Sequence, residues 1–174
     1  MKKLASGIIL ALSAFSLNSF AADGFRAEAN EKCAELQAID VSQLDTNYKT
    51  AKAGPIPDGL AVGCVIGNGK LISPKLSQRL NKLWNGKIFN RAEGTLRNRV
   101  LGDKTAFTAK VFLDESVADG QETIAIEYIG DGFISKIRDE IRLIEPGMYL
   151  GKMFYKTRNN DHVFVLYFSL FTNS

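Results

Sequence analysis

The sequence predicts a mainly β (α+β) fold, a small antiparallel β-barrel of seven to eight strands behind an N-terminal helical segment. Three observations carry this. Turn signals recur at hairpin intervals after Gly86: Glu93-Gly94, Leu101-Gly102-Asp103, Asp119-Gly120, Gly130-Asp131-Gly132, Glu145-Pro146-Gly147 and Asn159-Asn160-Asp161. The runs between them alternate apolar and polar residues with period two. So many antiparallel strands in one small domain must close or sandwich to hide their edges.

Residues 1–21 read as a secretory signal peptide. Lys2 and Lys3 precede an apolar and small-residue run from Leu4 to Leu17, and Ser19-Phe20-Ala21 gives a small-x-small cleavage site after Ala21. The run is too short for a stable membrane span, and no cysteine follows the site to carry a lipid anchor. A periplasmic or secreted address is therefore expected, with little access to ATP or reduced nicotinamides. The 22 Lys and Arg against 19 Asp and Glu become 20 against 19 once Lys2 and Lys3 are removed. Near-neutrality gives no electrostatic case for nucleic acid.

Residues 22–57 form the helical segment and linker. Phe25, Ala29, Cys33 and Leu36 recur at helical spacing with charges on the other faces, and Asp40 reads as the N-cap of a second, weaker helix. Two prolines and two glycines between Ala53 and Gly59 end it. Residues 58–174 are the expected barrel domain. Leu60, Val62, Cys64 and Ile66 alternate with small residues as a strand with one apolar face. Gly67-Asn68-Gly69 reads as a turn, and Ser73-Pro74 as an N-cap and first helical position. Leu76, Leu80 and Leu83 or Trp84 supply the stripe of that short helix.

The strands that follow have predicted inner faces at Leu96/Asn98/Val100, Phe107/Ala109/Val111/Leu113, Ile124/Ile126/Tyr128 and Tyr149/Gly151/Met153/Tyr155. Val163 to Phe171 is apolar on both faces, which suits a strand between the barrel interior and the first helix. Phe133 to Glu145 fits both a helix and a strand. The strand is preferred over Arg138 to Ile144 because Glu-Pro-Gly then turns into Met148 to Tyr155.

The run Leu83-Trp84-Asn85-Gly86-Lys87 is similar to the W-x-G-K start of lipocalin-like proteins. Arg138-Asp139-Glu140-Ile141-Arg142, then Tyr149-Leu150-Gly151-Lys152-Met153 and a terminal aromatic strand, resemble the second half of GXWXG-type lipocalin-like bacterial domains of unknown function. Together these cover Leu83 to Ser174. The resemblance implies a lipocalin-like (calycin-type) barrel with a cavity for something apolar, and lends no settled chemistry.

No nucleotide cradle, nucleophile elbow or H-E-x-x-H occurs, so no cofactor and no metal are expected. His162, the single histidine, falls at a hairpin tip as an exposed turn residue. Asp139 shares an inner face with Ile137, Ile141 and Leu143, where a carboxylate needs a partner, such as an arginine closing a barrel end. Asn98 points inward as well, and Tyr128, Tyr149 and Tyr155 add hydroxyls. With Trp84 and Met153 these are the candidate ligand-binding residues, since an apolar cavity with a few converging polar groups is the usual small-molecule pocket.

If the chain were an enzyme, Asp139 would be its acid or base. Arg97, Arg99, Arg138 and Arg142, with Glu140 between, read as an exposed charge ladder on the opposite face. Cys33 and Cys64 either form a disulfide stapling helix to barrel or are two buried small hydrophobes. The leading expectation is a non-enzymatic exported protein holding a fatty acyl chain or similar hydrophobe. An envelope interaction module is the main rival.

Overall fold

The computed structural model describes residues 9–67, 74–102 and 104–173, with side chains from Asp23 onward except Pro74. The turn expected at Gly67-Asn68-Gly69 and the N-cap at Ser73 extend outside those residues. Helices α1 (Ile9–Gln37) and α2 (Val41–Thr50) lead into β1 (Gly59–Gly67). Helix α3 (Pro74–Leu83) runs directly into β2 (Trp84–Asn90). The strands β3 (Thr95–Val100), β4 (Lys104–Glu115), β5 (Glu122–Tyr128), β6 (Ile137–Glu145), β7 (Met148–Lys156) and β8 (His162–Thr172) complete the chain. Each strand pairs antiparallel with the next, and β8 pairs back onto β1, so the barrel is closed and has eight strands. Among the described residues no helix is long and apolar enough to cross a membrane.

The expected segment 138–144 is a strand, lengthened by a residue at each end. Val163–Phe171 lies as its two-sided pattern requires. Phe168 and Leu170 face the barrel interior, while Tyr167 and Phe171 face the helices. There are accordingly two cores. The inner one holds Phe89, Leu96, Val111, Ile124, Ile126 and Ile141. The outer one packs Ala29 and Leu36 of α1 and Leu44 and Tyr48 of α2 onto Val62, Leu150 and Phe171.

Strand β1 divides its residues differently from a single apolar face pointing inward. Val62, Cys64 and Ile66 pack in the outer core, whereas Ala61 and Val65 fill the inner one. The outer placement lets Cys64 meet Cys33 in a disulfide, with Cα atoms 6.0 Å apart. The Gln37 amide also donates to the Val65 carbonyl at 2.9 Å, so α1 is tied to β1 at two points.

Three other expectations are corrected. On α3, Leu76 and Leu83 are exposed; the helix buries Ser77 and half-buries Leu80, turning about one residue away from the leucine stripe. On β4, Leu113 is exposed, and Phe107 takes φ 54° at a register shift opposite Arg97 and Asn98, which throws its ring outward. Of the charge ladder only Arg97 is exposed; Arg99, Arg138, Glu140 and Arg142 are buried, and β3 is not beside β6.

Helix α2 and the β4–β5 connection cover the β6 part of that ladder, Arg138, Glu140 and Arg142. Glu140, with no exposed surface, accepts from Arg138 Nε at 2.8 Å, Val117 N at 2.9 Å, Tyr48 OH at 3.2 Å and the Ser116 hydroxyl. Arg142 binds Asp119 through two nitrogens, at 2.8 and 2.6 Å. Its guanidinium lies 4.5 Å from the Tyr48 ring centre, and the Lys152 ammonium lies 4.7 Å from the same centre. Lys152 also donates to Asp45 at 2.6 Å. Burial of charge is tolerated when it is paired and hydrogen-bonded, and this layer meets both conditions.

Candidate functional site

The two ends of the barrel differ. One end, where β2 meets β3, β4 meets β5 and β6 meets β7, is filled by the inner core. There the Ala53–Ile56 segment forms a stopper, held by the Leu143 N–H to the Lys52 carbonyl at 2.9 Å and the Tyr149 hydroxyl to the Pro55 carbonyl at 2.7 Å. At the other end the packing stops short and leaves a cavity of about 340 Å³. Its apolar walls include Leu80 of α3, Phe133 and Ile137, and Leu166 and Phe168 of β8.

Glycine permits two of those walls. A Cβ on Gly63 would run into the Trp84 ring, and one on Gly151 into the Phe168 ring. Both aromatics therefore lie flat across bare strand backbone, where they meet edge to face with centroids 5.7 Å apart.

A polar cluster floors the cavity. Lys87, 1% exposed, lies directly opposite Asn98 in the β2–β3 register and donates to Asn98 Oδ1 at 3.0 Å, Tyr128 OH at 2.6 Å and Asp139 Oδ2 at 2.9 Å. Those three acceptors use all three ammonium protons. Tyr128 in turn donates to Asp139 Oδ2 at 2.7 Å, and Trp84 Nε1 to Asn98 Oδ1 at 3.0 Å. The Trp84, Tyr128 and Phe168 rings surround the ammonium, with centroids 5.5, 5.1 and 5.6 Å away. Burial, and then the adjacent Asp139 carboxylate, push the Tyr128 phenol well above its ordinary range, so it remains an O–H donor.

The cluster thus holds the Lys87–Asp139 ion pair, with the Lys87 ammonium, the Tyr128 hydroxyl and the Trp84 indole N–H each donating within it. Asp139 Oδ2 accepts twice, while Oδ1 accepts no hydrogen bond among the described residues. That oxygen is an acceptor on the cavity floor without a partner among the described residues.

Five sequence-derived candidates, Trp84, Asn98, Tyr128, Asp139 and Met153, line this one cavity. Tyr155 stands beside it, its ring stacked on Phe133 at 5.4 Å, and does not line it. Tyr149 belongs to the filled end, because two strand residues of the same inner face but four positions apart lie about 13 Å from each other along a strand. The partner of Asp139 is a lysine, not the expected arginine. The alternation that buries Phe89 two residues later puts Lys87 on the same inner face, and this was the available signal. His162 is half-buried at the start of β8 and lies outside the cavity lining. Among the described residues no group of three His, Cys, Asp or Glu is placed to hold a metal ion.

Neither a family model nor a curated protein matches the chain. Among solved structures, a protein from Thermomonospora curvata aligns with TM-score 0.58 over 87% of this chain and 99% of its own, at 18% identity. The likeness is one of fold: this chain is a closed eight-stranded antiparallel barrel, and that protein shares its course.

Proposed function

We propose that this chain is an exported, non-enzymatic, lipocalin-like protein that binds one small hydrophobic molecule in its barrel. The observation that carries the reading is the 340 Å³ cavity, apolar in its walls and polar only at its floor. Its size lies at the small end of the roughly 300–1,000 Å³ usual for ligand pockets. Up-and-down barrels of eight strands hold single small ligands in this manner. The Cys33–Cys64 disulfide suits the oxidising compartment that the N-terminal signal pattern implies. Affinity comes from burying apolar ligand surface, about 25 cal/mol per Å² before the entropic costs of association.

The floor narrows the ligand class. Lys87 has no proton left for an anionic head, and a ligand carboxylate would sit against Asp139. The unpartnered Oδ1 favours a neutral donor, such as the hydroxyl of a medium-chain alcohol or a phenol. With Oδ2 held by both Lys87 and Tyr128, a proton-transfer role for Asp139 has less support than a binding role.

Native mass spectrometry of the chain purified under mild conditions, then titration with 1-decanol and with decanoate, tests this. A one-to-one adduct with the alcohol, bound about tenfold more tightly than the carboxylate, is the expected result. Absence of any co-purifying or added hydrophobe from the mass spectrum overturns the binding reading and favours an envelope interaction module. Tighter binding of decanoate overturns only the head-group assignment.

A further inference from the structure

The open end of the barrel differs from the filled end in charge as well as packing. The connections and helix at the open end, residues 74–84, 100–107, 129–136 and 156–162, contain seven Lys and Arg against three Asp. At the filled end, residues 52–58, 90–94, 114–122 and 144–147 contain two Lys and Arg against seven Asp and Glu. Asp114 and Asp119 are paired with Arg138 and Arg142, which leaves five acids against two cations there. A chain close to neutral overall is therefore strongly polarised along the barrel axis.

Large apolar side chains are exposed at the same positive end. Leu83, Leu101, Phe107, Ile129, Phe133 and Val163 are each about half exposed or more. They lie around the rim, on α3, the β3–β4 hairpin, the end of β5, the loop before β6 and the start of β8, with Leu101 beside Leu83 through its N–H to the Leu83 carbonyl at 2.9 Å and Ile129 bonded to the Thr108 carbonyl, next to Phe107, at 2.9 Å. On α3, at 100° per residue, Lys75, Arg79 and Lys82 fall within one arc of about 60° beside Leu83. That helix has no acidic residue.

From these observations we propose that the open end docks on a lipid bilayer carrying anionic headgroups. Cations draw the rim to the surface, and the exposed apolar side chains enter the headgroup boundary. The occupant is read from charge: seven Lys and Arg against three Asp around the open end match an anionic lipid surface, and the exposed apolar side chains among them are placed to insert at its headgroup boundary. A fluid lipid surface requires only charge and local insertion. The polarised charge also orients the barrel on approach, presenting the open end first. This inference rests on the rim alone and stands or falls independently of what the cavity holds.

The test is co-sedimentation of the purified chain with phosphatidylcholine vesicles, and with vesicles in which about a third of the lipid is phosphatidylglycerol, at low and high salt. Roughly tenfold or greater preference for the anionic vesicles at low salt is expected, diminished at high salt. Any pull from the apolar residues 4–17 is common to both lipids and to every variant with the same N-terminus. Replacing Lys75→Glu, Arg79→Glu and Lys82→Glu together should abolish the preference. Leu101→Ser with Phe107→Ser should reduce the part that survives salt, while Glu93→Gln with Glu115→Gln at the filled end should change nothing. Circular dichroism and melting temperature confirm that each variant is folded. Equal binding to neutral and anionic vesicles, no binding to either, or unchanged binding of the α3 triple variant overturns the proposal. Absence of vesicle binding would leave a protein as the partner of this rim.

Discussion

Lys87 and Asp139 show how strongly a single side chain depends on its counterpart. Each is buried, so removing one leaves the other's charge uncompensated, a change that costs about 3–5 kcal/mol in buried pairs. Urea denaturation should show that loss for Lys87→Met and for Asp139→Asn. The double variant Lys87→Met/Asp139→Leu should recover much of it, because it removes both charges together. Tyr128→Phe should cost less, about 1–2 kcal/mol, as it deletes one donor to Asp139 and one acceptor for Lys87 while keeping the ring. Asp139, Asn98 and Tyr128 were legible from alternation alone, and Trp84 from the W-x-G-K resemblance. Lys87 was not, because a lysine in a strand is ordinarily read as solvated, and its burial follows from the β2–β3 register that sets it opposite Asn98.

At the level of elements, the barrel wall holds its helices by two different means. Helix α1 is stapled by Cys33–Cys64, whose separation of 31 residues corresponds to roughly 3–4 kcal/mol in the chain-entropy account. Reduction should lower the melting temperature and raise amide exchange in α1 more than in the strands. Helix α2 is docked through ions. Burial alone would raise the Asp45 carboxyl, but hydrogen bonds from Lys152 and Lys49 outweigh it and hold the carboxyl down at about 2. The hydrogen bonds from Arg142 likewise lower Asp119.

A depressed carboxyl contributes stability above its unfolded value, about 3.9, and loses it as pH falls through the folded value. Melting temperature should therefore decline between about pH 4 and pH 2, and Asp45→Asn should flatten that decline. The sequence placed Arg138, Glu140 and Arg142 on the outer face correctly. What alternation cannot convey is that a helix far away in sequence covers this face, since tertiary packing decides whether an outward residue meets water.

For the molecule as a whole, a closed barrel was the preferred of two ways, closing or sandwiching, for so many antiparallel strands to hide their sheet edges, and the strand boundaries agree with the turn signals. The division into a filled and an open end was not foreseen. It arises from the stopper at Ala53–Ile56 and from aromatic rings lying on glycines, both of which need the folded register. One global consequence concerns alkali. Burial, reinforced by Glu140, Asp139 and Asp45 respectively, pushes the Tyr48, Tyr128 and Tyr167 phenols above their ordinary range. Groups raised in the folded state contribute stability that is fully present below their unfolded value, about 10, and lost as pH rises beyond it. Spectrophotometric titration should show these three tyrosines ionising together with cooperative unfolding, not as a separate earlier step.

The edge-to-face contact of Trp84 with Phe168 has a practical consequence, because Trp84 is the chain's single tryptophan. Its indole lines the cavity and donates to Asn98, so any occupant changes the polarity around one chromophore. The protein carries its own optical reporter, and emission colour alone can follow filling and emptying without a label.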